Sequence, residues 1–285
     1  MSSSPPDLGS LLRLSRDWLA ARGVDNAARE ADELAARALG CRRLDLYLRH
    51  DEIPPEAAKA ALRALLKRRA EGEPLQYLLG SQPFRRAELA VDSRVLIPRP
   101  ETEELVDHVL AGEAGRGPLE VLDAGTGSGC LAVSLAMELP GCQVLAVDSS
   151  AGALEVARDN ARRNGVEGRI GFQRLNLLQE WPAQPLDVLV SNPPYVSLAE
   201  RDGLQRELSR EPEEALFGGE DGLVFYRRYA SGLDRLLRPG GRFYLEIGAS
   251  QGPALLELFT PRCARVELHR DLAGRPRFLV GAASA

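Results

Sequence analysis

Four consecutive residues, Asn192-Pro193-Pro194-Tyr195, place a primary amide, two stiff backbone units and an aromatic ring at the end of the run Val188-Leu189-Val190-Ser191. A planar –NH2 group is a poor nucleophile because its lone pair is delocalised into a carbonyl or a ring. Two hydrogen-bond acceptors can fix both of its N–H bonds and favour the partly tetrahedral nitrogen of a transition state, most strongly where water is excluded. The Asn192 side-chain oxygen is one candidate acceptor and the Pro193 carbonyl is the other. Proline has no N–H and fixes φ, and Pro194 biases Pro193 to extended geometry, so that carbonyl is aimed with little residual freedom. Tyr195 offers a flat face to the same planar group. A neutral Asn suits a neutral –NH2, whereas an Asp would also attract cations. Out of context, the four residues read as an ordinary turn with a packed aromatic.

A second constellation lies upstream. The segment LEVLDAGTGSGCLAVSLA, beginning at Leu119, reads as strand, glycine-rich turn and helix. Open α/β sheets bind ligands outside the carboxyl ends of their strands, and glycine lets backbone approach a ligand closely. A nucleotide-like cofactor is therefore expected at Gly125, Thr126, Gly127, Ser128 and Gly129. A dinucleotide fingerprint would put its third small residue at 130, where Cys130 stands; here the glycines follow every second position. Asp148 ends the next strand, where an acid can accept from both ribose hydroxyls; a strand-end Asp also caps helices. Asn176, with the backbone of Leu177, is placed to meet an adenine edge or simply to make a turn. Thr126 and Ser128 read as loop residues rather than nucleophiles.

These residues need a scaffold. Residues 1–81 show only helical spacing: Leu8, Leu11, Leu12, Trp18 and Leu19 before Gly23, then Ala27, Ala31, Leu34, Ala35 and Ala38 before Gly40. A third helix starts at Pro54-Pro55 and runs toward Gly72. A small antiparallel bundle is expected. Residues 82–100 alternate as a connecting β-hairpin, through Phe84, Leu89 and Val91 to Val95, Leu96 and Ile97, with the turn at Asp92-Ser93. Pro100-Glu101 opens the next helix with acidic residues at its positive end. Over 101–285, strands and helices alternate. Strands are predicted at 119–124, 143–148, 169–174, 186–191, 241–247, 263–269 and 276–282. Helices are predicted near 129–138, 151–164, 223–237 and 252–259. The fold class is α/β, a seven-stranded, doubly wound, Rossmann-like sheet. The loop at Gly274 is too short for a crossover, so the last two strands should pair antiparallel.

Bulk properties narrow the partners. The 285 residues carry a formal net charge of -5, and no segment is basic enough to predict tight phosphate binding, which argues against direct nucleic-acid binding. Cys41, Cys130, Cys142 and Cys263 show no metal or disulfide spacing, and His50, His108 and His269 form no ligand set, so no metal is expected. No run approaches the ~18 apolar residues of a membrane span. A cytoplasmic, monomeric protein without membrane association is expected.

The pattern Asp123-x-Gly125-x-Gly127-x-Gly129, with an acid closing the second strand, resembles the seven-stranded S-adenosylmethionine-dependent methyltransferases. This likeness covers residues 118–285. It implies S-adenosyl-L-methionine as cofactor, with its sulfonium methyl over the end of the fourth strand, where Asn192 sits. Transfer is then an in-line displacement in which the enzyme chiefly orients the reactants. A methylated nitrogen is strongly acidic and releases its proton to water, so no side-chain base is required. Asn-Pro-Pro-Tyr in this context is shared by amino-methylating enzymes of DNA, RNA and protein.

Five further segments sharpen the resemblance: EGEPLQYLLGSQPF at 71–84, VLIPRPETEELV at 95–106, EPEEALFGGEDGLVFYRR at 211–228, LEIGASQG at 245–252 and DLAGRPRFLV at 271–280. Together with the turn they are similar to the peptide chain release factor N5-glutamine methyltransferase family. That resemblance implies methylation of the side-chain amide of Gln in the Gly-Gly-Gln motif of class I release factors, modulating translation termination. It also implies catalysis by Asn192 and Pro193 and a grip on the glutamine by Asn192, Pro193, Pro194 and Tyr195. Cofactor contacts would come from Gly125 to Gly129, Asp148, Asn176, Leu177 and Asn192. The helical bundle, which has no chemistry of its own, would recognise the protein substrate. Asn176 and Leu177 stand where the family commonly has an acidic residue and an aromatic; Trp181, nearby but offset, is read as a cap on the core. Arg99, Glu101 and Glu103 belong to a family segment at the pocket rim, although helix-start chemistry explains them nearly as well. Glu246 reads as a satisfied polar residue. One rival is an amino methyltransferase acting on an exocyclic base nitrogen, which would need a basic groove and base extrusion. Another is a silent module that only senses the cofactor.

Overall fold

The computed structural model describes residues 6–203 and 205–284. Residues 1–5 and 285, at the ends of the segments expected above, lie outside them. The chain divides into two compact units, Met1–Gly80 and Ser81–Ala285.

The first unit contains helices α1 (Leu8–Ala20), α2 (Ala27–Leu39), α3 (Arg43–Leu48), α4 (Glu56–Ala70) and α5 (Leu75–Leu79). The Asp7 carboxylate caps α1 by accepting from the Ser10 N–H at 2.7 Å, and Gly40 ends α2 in the left-handed conformation. The helical stripes converge on one core that includes Leu12, Leu19, Leu34, Leu46, Leu62, Leu66 and Leu78. Asp32 is buried there because it is fully employed: Arg16 donates to it through Nε and Nη2 at 2.8 and 2.9 Å, and the Tyr47 hydroxyl donates at 2.9 Å. The short helices α3 and α5 fall outside the three long stripes legible in the sequence.

The second unit begins with the hairpin β1 (Ser81–Phe84) and β2 (Ala87–Ala90), followed by α6 (Pro100–Glu113). Then come β3 (Glu120–Ala124), α7 (Cys130–Glu138), β4 (Gln143–Asp148), α8 (Ala151–Arg163), β5 (Ile170–Arg174) and β6 (Leu186–Ser191). After α9 (Glu213–Leu216), α10 (Val224–Ser231) and α11 (Leu233–Leu236) the chain completes β7 (Leu237–Glu246), α12 (Gly252–Phe259), β8 (Cys263–Arg270) and β9 (Pro276–Ala283). The sheet order is β5-β4-β3-β6-β7-β9-β8, with β9 antiparallel to both neighbours and the remaining pairs parallel. Side chains alternate between two cores. Val121, Val188, Val190 and Tyr244 face one, and Leu122, Ala124, Leu189, Phe243 and Leu245 face the other. Covering both faces is why these strands read as nearly continuous apolar runs.

Two expectations are corrected. The hairpin turns at Arg85-Arg86, not at Asp92-Ser93, and Val95–Ile97 form no strand. Arg85 adopts φ 51°, an unfavourable conformation for a residue that carries a Cβ. Its anchors lie far away in sequence: its N–H donates to Glu103 at 3.1 Å, and its guanidinium donates to Asp107 and Glu138 at 2.7 and 2.6 Å. The single helix expected over 223–237 is broken at Gly232. A Cβ there would lie 2.1 Å from the Trp181 ring, which packs against the core with the Arg228 guanidinium 3.4 Å over its face. Among the described residues no helix is long and apolar enough to cross a membrane, and no His, Cys, Asp and Glu group could hold a metal ion.

Candidate active site

The sheet's strand order reverses at β3 and β6, so the turns after these strands flank one crevice. Ser191 ties the two strand ends: its hydroxyl donates to the Ala124 carbonyl at 2.6 Å and lies 3.2 Å from the Tyr229 hydroxyl. The crevice opens into a cavity of about 470 Å³, within the usual size for small-molecule sites. Leu96 and Pro98 precede α6 on one wall, Leu175 to Leu178 follow β5, and Phe217, Val224 and Phe225 close another side.

Gly125, Thr126, Gly127 and Ser128 all line this cavity. Gly125 and Gly127 have φ 76° and 54°, with nothing within 4 Å of where a Cβ would stand. Their lack of a side chain thus serves conformation and access together. Gly129 is different: it does not line the cavity, and its Cβ would meet Ala157 at 3.1 Å. The third glycine of the motif lets α7 approach α8. Under the loop, buried Asp123 accepts from Thr126 Oγ1 at 2.6 Å and from the Ala132 N–H at 3.1 Å. Burial pushes its carboxyl up to about 7, against those bonds, and its Oδ1 has no hydrogen-bond partner among the described residues.

Asp148 lines the cavity and also holds the loop, accepting from the Gly127 N–H and the Ser150 N–H at 2.9 Å each. Burial raises its pKa, opposed by these N–H groups. Each oxygen keeps a lone pair for a further donor. Asn176 lines the cavity too, but its Oδ1 accepts from the Leu178 N–H at 3.0 Å, so it makes the turn as well. Leu177 belongs both to the core and to the cavity wall. The donor set suits a nucleoside-bearing ligand: backbone exposed by glycine, a desolvated acid for vicinal hydroxyls and an apolar slot at Leu175–Leu178. S-adenosylmethionine fits these residues.

Asn192, Pro193 and Pro194 line the same cavity. Asn192 Nδ2 donates to Thr102 Oγ1 at 3.1 Å, and that hydroxyl donates to Glu246 Oε2 at 2.7 Å. Neither Asn192 Oδ1 nor the Pro193 carbonyl accepts a hydrogen bond from a described residue. The rest of the turn is secured from behind. Gln251 Nε2 donates to the Tyr195 carbonyl at 2.9 Å, the Val196 N–H donates to the Leu216 carbonyl at 3.0 Å, and the Gly218 N–H donates to the Val196 carbonyl at 2.9 Å. Gly218 and Gly222 admit this contact because a Cβ on either would collide with the Pro194 or Tyr195 carbonyl, at 2.3 and 2.2 Å. Tyr195 is not among the cavity-lining residues. It is half-buried, packs against the core and donates its hydroxyl to Glu246 Oε1 at 3.3 Å. Burial, then the Glu246 charge, raises its pKa, so the phenol stays a donor at neutral pH.

Several supporting residues escaped sequence reasoning. Thr102 sits inside the segment VLIPRPETEELV, and Glu246, weighed only as a satisfied polar group, is 1% exposed with burial raising its carboxyl to about 7. Glu211 accepts from the Ile97 N–H at 2.9 Å and pairs with Arg99, joining two of the quoted segments behind the cavity wall. Buried Asn160 donates to the Ser128 and Ala90 carbonyls at 2.8 and 3.0 Å, linking the glycine loop to the hairpin. Their only sequence signal was membership of a motif or a polar residue on an apolar helix face.

The sheet order, the glycine loop and the acid of β4 define a methyltransferase. A methyltransferase from Pyrococcus furiosus shares this fold, with a TM-score of 0.52 over 70% of this chain and 90% of that one at 18% identity. Residues 10–80 match the PrmC N-terminal domain and residues 102–232 match the Methyltransferase small domain. The release factor glutamine methyltransferase of Nitratidesulfovibrio vulgaris is 42% identical, covering 98% of this chain and 96% of that protein. The protein of the same name from Geobacter sulfurreducens is also 42% identical, over 88% and 87%. The chain belongs to the release factor glutamine methyltransferase family.

Proposed function

We propose that this protein methylates the side-chain amide nitrogen of the glutamine in the Gly-Gly-Gln motif of class I peptide chain release factors, using S-adenosyl-L-methionine, and thereby modulates translation termination in the cytoplasm. When bound, the cofactor supplies a methyl group made electrophilic by its sulfonium. Gly125, Thr126, Gly127, Ser128 and Asp148, with Asn176 and Leu177 beside the ring, would hold it. The other half of the cavity receives the glutamine. Asn192 Oδ1 and the Pro193 carbonyl accept its two N–H bonds and so direct the nitrogen lone pair along the line of attack. The hydrophobic walls at Phe217 and Phe225 exclude water and strengthen both bonds. The first unit, which holds none of the cavity residues, is assigned to recognition of the release factor.

One observation supports this reading above the others: two acceptors on cavity-lining residues have no donor among the described residues, while the turn that bears them is tied down on its far side. A base nitrogen offers the same two N–H bonds, but the chain's net charge of -5 gives no electrostatic attraction for a polyphosphate backbone. The test is transfer of labelled methyl to purified release factors carrying Gly-Gly-Gln or a Gln→Ala loop. Label should appear only on the former, and Asn192→Ala should slow transfer by about 10²-fold with cofactor affinity retained. Label on the altered loop, or native rates in Asn192→Ala, would refute the assignment.

A further inference from the structure

We propose that Thr102 and Glu246 are positioning residues which fix the flip of the Asn192 amide, turning its oxygen rather than its nitrogen to the acceptor. The inference rests on the assignment of Asn192 as an acceptor-orienting group and adds the device that makes it one.

An Asn side chain offers an acceptor and a two-proton donor of nearly identical shape, so packing alone does not choose between its two orientations. In the wrong one, an –NH2 would face an –NH2. Hydrogen-bond accounting makes the choice here. Glu246, as a carboxylate, is an acceptor only. The Thr102 hydroxyl has one proton, and it is given to Glu246 Oε2 at 2.7 Å. Toward Asn192, 3.1 Å away, Thr102 Oγ1 can therefore only accept, which calls for Nδ2 on that side and leaves Oδ1 for the cavity. Thr102 and Glu246 are each 1% exposed, so water does not substitute for either partner. The second Glu246 oxygen accepts from the Tyr195 hydroxyl at 3.3 Å, which ties the same carboxylate to the far end of the turn. Tyr226 donates to the Glu246 backbone carbonyl at 2.6 Å and anchors that strand end.

The relay ranks two substitutions in an order opposite to that of packing. Thr102→Val keeps shape and loses the hydroxyl, whereas Thr102→Ser keeps the hydroxyl and loses a methyl. At about pH 8.5, above the Glu246 pKa of about 7, Thr102→Val should lower kcat for methyl transfer to a release factor by about tenfold to a hundredfold. Thr102→Ser should stay within about threefold of the parent, and cofactor Kd should hold in both. A packing role predicts the reverse ranking, and that result overturns the proposal. In an Asn192→Ala background, Thr102→Val should cost less than about twofold more, because the relay then has nothing to orient; a full additional loss also overturns it. If Thr102→Val does not fold, Glu246→Gln decides. Its Nε2 can donate to Thr102 and release the hydroxyl toward Asn192 Oδ1, so kcat should fall at unchanged cofactor Kd, and parental kcat overturns the relay. Parental activity in Asn192→Ala itself would instead fell the underlying assignment.

Discussion

Gly218→Ala isolates the placement of the Asn192–Tyr195 turn from everything else in the site. Gly218 is not among the glycines with positive φ, so alanine adds no backbone strain there. What it adds is a Cβ at 2.3 Å from the Pro194 carbonyl oxygen and 2.8 Å from that of Gly222. Ordinary contact begins near 3.4 Å, so the Pro194 oxygen must yield by roughly 1 Å and the contact with the Gly222 oxygen must open by roughly half that. Gly222 is poorly placed to retreat, since a side chain's worth of space beside it is already taken by the Tyr195 carbonyl and by Gln251 Nε2, which bonds both backbones. The turn moves instead. A misplacement of ~1 Å in an orienting group costs about 10²-fold in rate, or ~2.7 kcal/mol of transition-state stabilisation. Overpacking should also remove about 1–3 kcal/mol of stability, a drop of a few degrees in Tm for a unit of this size. Cofactor affinity should change little, because the glycine loop and Asp148 do not touch Gly218. Single-turnover methyl transfer, calorimetric cofactor Kd and a thermal melt read the three quantities. Gly117→Ala, where a Cβ meets nothing within 4 Å, is the control. A folded Gly218→Ala enzyme with parental kcat would refute the claim that turn position sets the rate.

Asp148→Ala removes a charged acceptor at the cavity and the anchor of the Gly127 N–H; cofactor Kd, measured by titration calorimetry, should weaken by about 10–100-fold, and an unchanged Kd would remove Asp148 from the binding set. Burial raises the Glu246 carboxyl to about 7 from 4.5, so its contribution to stability is full below about pH 4.5, falls as pH rises to about 7 and is flat above. Glu246→Gln should therefore flatten the decline of stability over that window by on the order of 3 kcal/mol, seen by denaturant titration at several pH values; an identical slope would place the ionisation elsewhere. Arg99→Met leaves the buried Glu211 carboxylate with only the Ile97 N–H. Denaturant melts should show a loss of about 3 kcal/mol, and a neutral result would mean that Glu211 is not held as an ion.

Much of this site was legible because it is local. The glycine loop follows its strand directly, Asp148 ends the next one, and the two prolines fix their own geometry, so residue type and short spacing carried the information. The strands of the sheet were readable because helices cover both faces and leave long apolar runs. What escaped depends on contacts between distant positions. Alternation could not locate the hairpin turn, since Arg85 takes its strained backbone from Glu103, Asp107 and Glu138. The break at Gly232 belongs to Trp181, which arrives from another loop. Gly129 follows the motif spacing, yet its neighbour is Ala157 rather than the cavity. Tyr195 has the right type for stacking, but Glu246 draws its hydroxyl into the interior.

The Thr102–Glu246 hydrogen bond joins residues 144 positions apart. Closing so long a loop carries an entropic cost that sequence-near contacts avoid, so such pairings tend to assemble after local ones have formed. A refolding chain can complete its glycine turn from neighbours within two successive βα units, since Val147, Asp148 and Asn160 hold it. It cannot set the Asn192 amide until the far end of β7 has docked beside the start of α6. Competence to orient the acceptor thus waits on a long-range pairing that the glycine loop does not need.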